Sequence, residues 1–352
     1  AQEPLGYCTP PSCRAMKLLP RFWITRNEMP SGAATTEPFT VLSWNVLADG
    51  LAQGQFIDRS EVVEWKARAS LLRREMRRAR ADIICLCEVT HFADFFEPAM
   101  QQMGYTAVAW FPKLRQHGCA IFCRPRFELV DDLSFSYSCS GQSAALVRLR
   151  DTQPLRAELA GDSTEQLIVG VTHLKAGGPD YASLRLRQMR ELLARVEASA
   201  ALSGPTLPSP GVILCGDWND PAGGPVEELV RTAPALGLCS AYTEPFPPPA
   251  FTVQELGAAW CTAEIEGVPR GGYMATLDYL YHSPRLQVKA VMQEPPFQAT
   301  VRAGPRTGIP SAEYPSDHVA LAATLCWQRP SPRTAAKRRR LEDECGPRRW
   351  GC

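Results

Sequence analysis

The chain has 352 residues, of which 45% are hydrophobic and 21% charged, a composition that builds packed domains and excludes disorder along its whole length. Its 38 basic and 37 acidic side chains leave a net charge of +1, which excludes long-range attraction of polyanions by the molecule as a whole, so any nucleic-acid contact has to be local. No apolar run approaches the ~20 residues that a bilayer span requires, so no membrane partner is expected.

Residues 1–36 are rich in Pro, Thr and Gly and lack periodicity, and they read as a flexible N-terminal extension ahead of the domain. The first residue is Ala1, with Met16 downstream, so the start reads as processed or incomplete, and the excess of basic over acidic residues faintly resembles an organellar transit peptide. From Phe39 the run Phe-Thr-Val-Leu-Ser-Trp-Asn reads as a strand. Ser60 opens a helix through Met76, with Val62, Val63, Ala67, Leu71 and Leu72 at helical spacing. Asp82-Ile-Ile-Cys-Leu-Cys-Glu follows as a fully apolar strand. Strands without helices come next, at Cys119–Cys123, Phe127–Val130 and Ala144–Leu149. Leu167–His173, a helix around Tyr181–Ala198, and Gly211–Asp217 then repeat the strand, helix, strand order.

Residues 244–275, with Pro245, Pro247, Pro248 and Pro249, read as a long loop edging a site. After Trp327 the chain becomes a basic tail, residues 328–352, with the run Lys337-Arg-Arg-Arg, expected to be disordered. Apolar strands bracketed by helices, mixed with a helix-free run, predict an α/β fold: a four-layer sandwich of two packed mixed sheets with outer helices, spanning residues 37–327. Thirteen cysteines, several inside apolar strands, read as small buried hydrophobes in a reducing compartment.

The chemistry lies where polar residues cap these strands. Asn45, Glu88, His173, Asp217 and Asn219 each stand at a strand end, and strands of such sheets end at one rim where ligands bind. Asp278, within Thr276-Leu-Asp-Tyr, and the pair Asp317-His318 complete the set. Carboxylates and amides without a Cys/His cluster suit a hard cation with oxygen ligands, and magnesium is the usual one at phosphate substrates. Glu88 reads as the principal ligand and Asp217 as the group that deprotonates water. His173 and His318 read as donors to phosphoryl oxygens, with Asp278 fixing the His318 tautomer.

Seven segments in order carry a resemblance: Ser43-Trp-Asn-Val-Leu-Ala, Ile83-Ile-Cys-Leu-Cys-Glu-Val, Gly118-Cys-Ala-Ile-Phe, Val171-Thr-His-Leu-Lys-Ala, Cys215-Gly-Asp-Trp-Asn, Thr276-Leu-Asp-Tyr and Tyr314-Pro-Ser-Asp-His. Together they resemble the endonuclease/exonuclease/phosphatase superfamily, most of all its nocturnin and deadenylase branch. The resemblance implies a deoxyribonuclease-like sandwich and a magnesium site in which Asn45 and Asp317 support Glu88. It also implies phosphate contacts from Lys175, Arg185 and Gln188. By position, Trp218, Phe251 and Tyr279 are expected to stack on adenine. The sequence departs from that branch at Gly177, where a basic residue is usual, at His117 in a shortened segment, and in the Pro-rich stretch, which lacks a Thr-Trp-Lys pattern.

The resemblance therefore implies a magnesium-dependent phosphodiesterase or phosphatase acting on an adenylate-containing substrate. A 3′ exoribonuclease trimming the adenylate tail of RNA stands first and an NADP(H) 2′-phosphatase second. A non-catalytic RNA- or protein-binding domain is the reading from another class, with the tail as a route to a protein partner. The expected compartment is the cytoplasm, and the basic run and the N-terminal composition leave the nucleus or mitochondrion open.

Overall fold

The computed structural model describes residues 18–26, 37–56, 59–113, 117–153, 165–202, 209–256, 272–301 and 308–328. Runs rich in Val, Ile, Leu and Cys form the strands, because such side chains fit a pleated surface covered on both faces. From the N-terminus these are β1 (Trp23–Thr25), β2 (Phe39–Asn45), β3 (Ile83–Val89), β4 (Thr106–Lys113), β5 (His117–Cys123), β6 (Phe127–Asp132), β7 (Phe135–Ser136) and β8 (Ser143–Asp151). The second half adds β9 (Gln166–His173), β10 (Gly211–Asp217), β11 (Cys239–Ser240), β12 (Val253–Leu256), β13 (Gly272–Ala275), β14 (Asp278–His282), β15 (Leu286–Met292) and β16 (Leu321–Trp327). One seven-stranded sheet runs β1-β15-β16-β2-β3-β5-β4, and a second runs β11-β14-β10-β9-β8-β6 with β7 on β8. β12 and β13 form a separate two-stranded antiparallel sheet.

Strand alternation sorts the side chains into layers. Val41, Cys85 and Ile121 from the first sheet meet Val147, Val169, Ile213 and Leu280 from the second in one core between the sheets. The α-helices among the described residues are α1 (Asp49–Gln55), α2 (Ser60–Val63), α3 (Trp65–Ala79), α4 (Glu97–Gln102), α5 (Ala182–Ala201), α6 (Pro225–Arg231) and α7 (Phe297–Thr300). The outer face of the first sheet, through Leu42, Ile84, Leu86 and Phe122, packs on Leu72 and Met76 of α3 and Met100 of α4. The outer face of the second, through Leu146, Ile168 and Leu214, packs on Met189, Leu192 and Val196 of α5 and Val226 and Val230 of α6. Each such Leu or Val contributes ~1.5–3 kcal/mol by leaving water. The result is the four-layer arrangement expected from the strand and helix order.

Three boundaries differ from expectation. Residues 1–36 are not all extension, because β1 pairs antiparallel with β15. Just ahead of it, the buried Arg21 side chain holds Glu75 at 3.0 Å and the Ala320 carbonyl at 2.5 Å; these charge-assisted bonds anchor an aperiodic segment. The helix expected from Ser60 to Met76 breaks at Glu64, whose ψ of 134° is extended, and resumes as α3. The Pro-rich stretch expected to be loop contains the β12–β13 pair, since Val253 and Gln254 find backbone partners in His318 and Asp317. The basic tail with Lys337–Arg340 lies outside the described residues. Among the described residues no helix is long and apolar enough to cross a membrane.

Candidate active site

Sheet register brings the polar caps together. In the second sheet Asp217 of β10 lies opposite His173 on parallel β9 and opposite Asp278 on antiparallel β14. In the first sheet Asn45 ends β2 beside parallel β3. Asn45, His173, Asp217 and Asp278 all share the inward parity of Val41, Val171, Cys215 and Leu280, so alternation aims them into the space between the sheets. Glu88 does not share it; alternation alone would send it outward with Ile84 and Leu86. A register shift between Leu86 and Val89, with Glu88 itself at φ 58°, turns the carboxylate into the centre. Such bulges are a common way of re-aiming one side chain beside an active site.

The contacts are dense. Asn45 Nδ2 donates to Glu88 Oε1 at 3.0 Å and to Asp217 Oδ2 at 3.1 Å, bridging the two sheets. Glu88 Oε2 accepts the Ala48 N–H at 2.9 Å. His173 Nε2 stands 3.7 Å from Glu88 Oε1 and 3.6 Å from Asp217 Oδ2, and His318 Nε2 stands 3.7 Å from Asp217 Oδ2. These spacings are too long for good direct hydrogen bonds and leave room for an atom between. His318 Nδ1 sits 2.7 Å from Asp278 Oδ2. Trp44 Nε1 donates to the His318 carbonyl at 2.7 Å, which ties that segment to β2. The Asp217 turn depends on Gly216, whose φ is 122° and whose added Cβ would stand 2.1 Å from the Thr172 carbonyl oxygen. Asn219, at φ 52°, donates its backbone N–H to Asp217 Oδ1 at 2.9 Å and its side chain to the Leu174 carbonyl.

Burial and mutual charge set the protonation pattern. Burial pushes the Asp217 carboxyl up, aided by Asp278 and opposed by His318 and His173. Burial likewise raises Asp317. At Glu88 burial also raises the carboxyl, but His173, the Ala48 N–H and the Asn45 amide together bring it below the ordinary range. Burial holds His173 low, toward the neutral imidazole. For His318 burial is outweighed by Asp278 and Asp217, which hold the imidazolium well above the usual value.

The carboxylates of the centre fit a divalent metal ion, with imidazoles close by. Ligand atoms of Glu88, His173 and Asp217 lie within 4.8 Å of one another, as do those of Asp217, Asp278 and His318. One oxygen of the buried Asp278 carboxylate has no hydrogen-bond partner, a deficit of positive charge that a cation would meet. The other two expected ligands make these contacts in the structure. Asn45 points its amide nitrogen at the carboxylates and spends its oxygen on the Leu47 N–H at 3.0 Å, so it bridges acids instead of presenting an oxygen. Asp317 is not among the clustered ligand atoms; its neighbours in charge are His318, Glu88 and Arg68.

The residues singled out for substrate contact mostly turn inward. Trp218 and Phe251 are 0% and 1% exposed, and Tyr279 is buried with its ring stacked on Trp218 at 4.4 Å. Trp218 and Tyr279 are core because each follows an inward carboxylate and so faces the opposite, helix-covered side, while Phe251, outside any strand, packs into the core on the outer side of the first sheet. Arg185 is buried and gives its guanidinium to the carbonyls of Lys175, Gly177 and Gly178. Gln188 is buried, accepts the Lys175 N–H and donates to Gln142. Both brace the Lys175–Gly178 loop and do not reach out. Only Lys175 remains half-exposed, its Nζ 4.7 Å from the Tyr181 ring centre. His117 lies at the rim, its ring centre 6.0 Å from that of His173.

Sequence reasoning misses four residues near the centre. Ser316 donates to the Asn45 carbonyl at 2.8 Å and accepts the His318 N–H at 3.1 Å. Thr252 Oγ1 accepts the N–H groups of Leu277 and Asp278, both at 2.9 Å. Glu255 is buried beside Asp317, and burial followed by that neighbour pushes its carboxyl up to about 8. Arg68 lies fully buried on α3; a charged residue on the apolar stripe that holds Leu71 and Leu72 is the one available signal, since buried charges are paired or functional. Ser316 lies inside one of the seven ordered segments, while Thr252 and Glu255 fall in the Pro-rich stretch.

A family model described as endonuclease/exonuclease/phosphatase matches residues 42–318 of this chain. Nocturnin of Xenopus laevis is 30% identical over 334 residues, covering 89% of this chain and 78% of that protein. Human nocturnin is 28% identical over 323 residues, covering 86% and 68%. Among solved structures, the human nocturnin catalytic domain with bound sulfate anion aligns with a TM-score of 0.62 at 25% identity, over 88% of this chain and 98% of that one. ANGEL2, described as a 2′,3′-cyclic phosphatase in complex with adenosine-2′,3′-vanadate, aligns with a TM-score of 0.69 at 18% identity, over 89% and 100%, and shares the fold.

Proposed function

The chain belongs to the endonuclease/exonuclease/phosphatase family and is a phosphoester hydrolase of nocturnin-like type; from that premise we propose that it uses magnesium to remove a phosphate from a small adenine nucleotide, with NADP(H) and its 2′-phosphate as substrate. One observation carries the choice of a small substrate over the adenylate tail of RNA. Among the described residues, every aromatic side chain expected to stack on adenine in the RNA reading is buried in the core, and two of the three side chains expected to contact phosphate, Arg185 and Gln188, brace a loop from within. Single-strand binding draws on exposed aromatic platforms and a basic groove. The two imidazoles that face Asp217 Oδ2 support recognition of one phosphoryl group.

When bound, magnesium, held by Glu88, neutralises phosphoryl oxygens as negative charge builds. Asp217 Oδ2 accepts the proton of the attacking water, a role supported by its raised carboxyl and by the Asn219 N–H that fixes the other oxygen. His318, cationic and oriented by Asp278, donates from Nε2 to a phosphoryl oxygen. His173, held toward the neutral imidazole, donates one N–H from beside Glu88 and Asp217. Asn45 keeps the Glu88 and Asp217 carboxylates at a fixed separation. Buried, unpaired thiols at Cys85, Cys87, Cys119, Cys123 and Cys215 support a reducing, cytoplasmic compartment.

The test is a parallel incubation of the purified chain and its Glu88→Ala variant with NADP, NADPH and adenylate-tailed RNA in magnesium. Free phosphate from the dinucleotides, absent with the variant, is the expected result. Tail shortening without phosphate release would establish the RNA reading instead. Equal cleavage by wild type and variant would leave a binding domain with a contaminating activity.

A further inference from the structure

We propose that Arg68 is the positioning residue that locks the two halves of the cation site together, acting through backbone it holds and without touching substrate. The inference rests on the reading that this centre binds a divalent cation. Arg68 lies on α3, outside the rim, with its side chain 0% exposed. Its guanidinium donates to three backbone carbonyls: Nη2 to Val46 at 2.6 Å and to Leu47, and Nε to Pro315 at 2.8 Å. Asp49 Oδ1 stands 3.8 Å from Nη1.

Those carbonyls belong to the two segments that build the centre. The Val46–Ala48 segment supplies the Ala48 N–H to Glu88 Oε2 and the Leu47 N–H to the Asn45 amide oxygen. The Pro315–His318 segment carries Asp317 and His318, and its Ser316 hydroxyl donates back to the Asn45 carbonyl and accepts the His318 N–H. One planar fork with fixed donor directions therefore sets the distance between Glu88 and His318, a geometry that a lysine ammonium does not reproduce. Arg68 is also a fixed positive charge near Asp317, Asp49 and Glu88. It offsets part of the carboxylate repulsion without occupying the space between the sheets. Partners that orient metal ligands in this way are as much part of a site as the ligands themselves.

The experiment uses the full chain, stripped with chelator, as wild type, Arg68→Met, Arg68→Lys and Ser316→Ala. Magnesium binding is measured by titration calorimetry, and kcat and KM for the nucleotide are measured alongside. The expected result for Arg68→Met is a loss of magnesium affinity of roughly 10–100-fold, the range for removing such supporting contacts, with kcat falling and KM for the nucleotide unchanged. Arg68→Lys recovers part of the affinity because it keeps the charge and loses the fork. Ser316→Ala severs the link between the segments without disturbing a buried charge, so it moves magnesium affinity in the same direction even where Arg68→Met does not fold. Folded variants that melt earlier yet bind magnesium like wild type would reduce Arg68 to a structural strut and overturn the proposal. A wild type that does not bind magnesium overturns the reading beneath it, and the proposal falls with it.

Discussion

The substitution Asp278→Asn isolates the charge behind His318. The two side chains meet at 2.7 Å with both residues buried, where the bare Coulomb attraction of unit charges is ~6 kcal/mol at an effective dielectric of about 20. Desolvation cancels much of that, and hydrogen bonds to charged groups contribute ~1.5–3 kcal/mol net. The substituted amide keeps an oxygen acceptor but loses the charge, so the imidazolium of His318 loses the larger part of that support. In the wild type His318 is held well above its ordinary value, so its donor form persists through neutral pH and fades only as pH rises through that elevated value. In the variant the fading moves down toward neutrality. With the donor lost from part of the population and the ring no longer held in one orientation, kcat at neutral pH should fall by ~10–100-fold. The assay is phosphate release from NADP(H) across pH at saturating magnesium, with a thermal melt to establish that the variant is folded. A folded variant with wild-type kcat and an unmoved alkaline limb would refute the reasoning. Stability follows the same sign: the raised His318 stabilises the fold below about pH 6.5, the unfolded value. That contribution disappears as pH rises through the folded value, so the wild type should lose more of its melting temperature between neutral and alkaline pH than the amide variant does.

Glu88→Gln keeps the size of the side chain and removes its charge, and it should lower kcat by at least ~10³ while leaving the fold cooperative; turnover near wild type would remove Glu88 from the metal centre. Chelation should abolish phosphate release and magnesium should restore it, and because the cation binds the folded chain only, magnesium at about 100 times its Kd should raise the unfolding free energy by ~2.7 kcal/mol, read by urea titration with and without chelator. Gly216→Ala forces a Cβ to 2.1 Å from the Thr172 carbonyl oxygen at φ 122°, so beyond ~1–3 kcal/mol of backbone strain the β9–β10 pairing has to part beside His173; an unchanged urea midpoint would show that the turn relaxes more easily than the packing indicates.

The sandwich is legible in the sequence because its strands are short apolar runs, each closed by one polar residue, and its helices carry apolar stripes at a different period. Asn45, His173, Asp217 and Asp278 can be placed at one rim by alternation alone, since each shares the inward parity of its own strand. Glu88 can be named as a strand cap but not aimed, because a bulge and a left-handed backbone set its direction, and neither has a local signature in Ile83-Ile-Cys-Leu-Cys-Glu-Val. The stacking residues fail for the converse reason. Trp218 and Tyr279 each adjoin a catalytic carboxylate in the chain, and that adjacency suggests a shared location, yet in extended backbone neighbours face apart. Arg185 and Gln188 lie on a helix whose basic positions look solvated in sequence; that Gly177 and Gly178 turn their carbonyls back toward Arg185 is tertiary information.

The same geometry explains why the carboxylates of this centre differ from one another. Glu88, Asp217 and Asp317 are all buried, and burial alone would raise all three. Glu88 escapes because the nearby His173 acts on it from the second sheet while two donors, the Ala48 N–H and the Asn45 amide, reach it from the first. At Asp217 burial outweighs comparable partners, and Asp278 across the β10–β14 register adds to the upward push. In the proposed reading the lowered Glu88 carboxylate would hold the cation, and Asp217, with its raised carboxyl, would take the proton. The division of labour arises from which strand pairs with which: β14 beside β10 puts an acid next to Asp217, while β2 beside β3 puts an amide next to Glu88. Asn45, which donates to both Glu88 and Asp217, joins the two acids without favouring either.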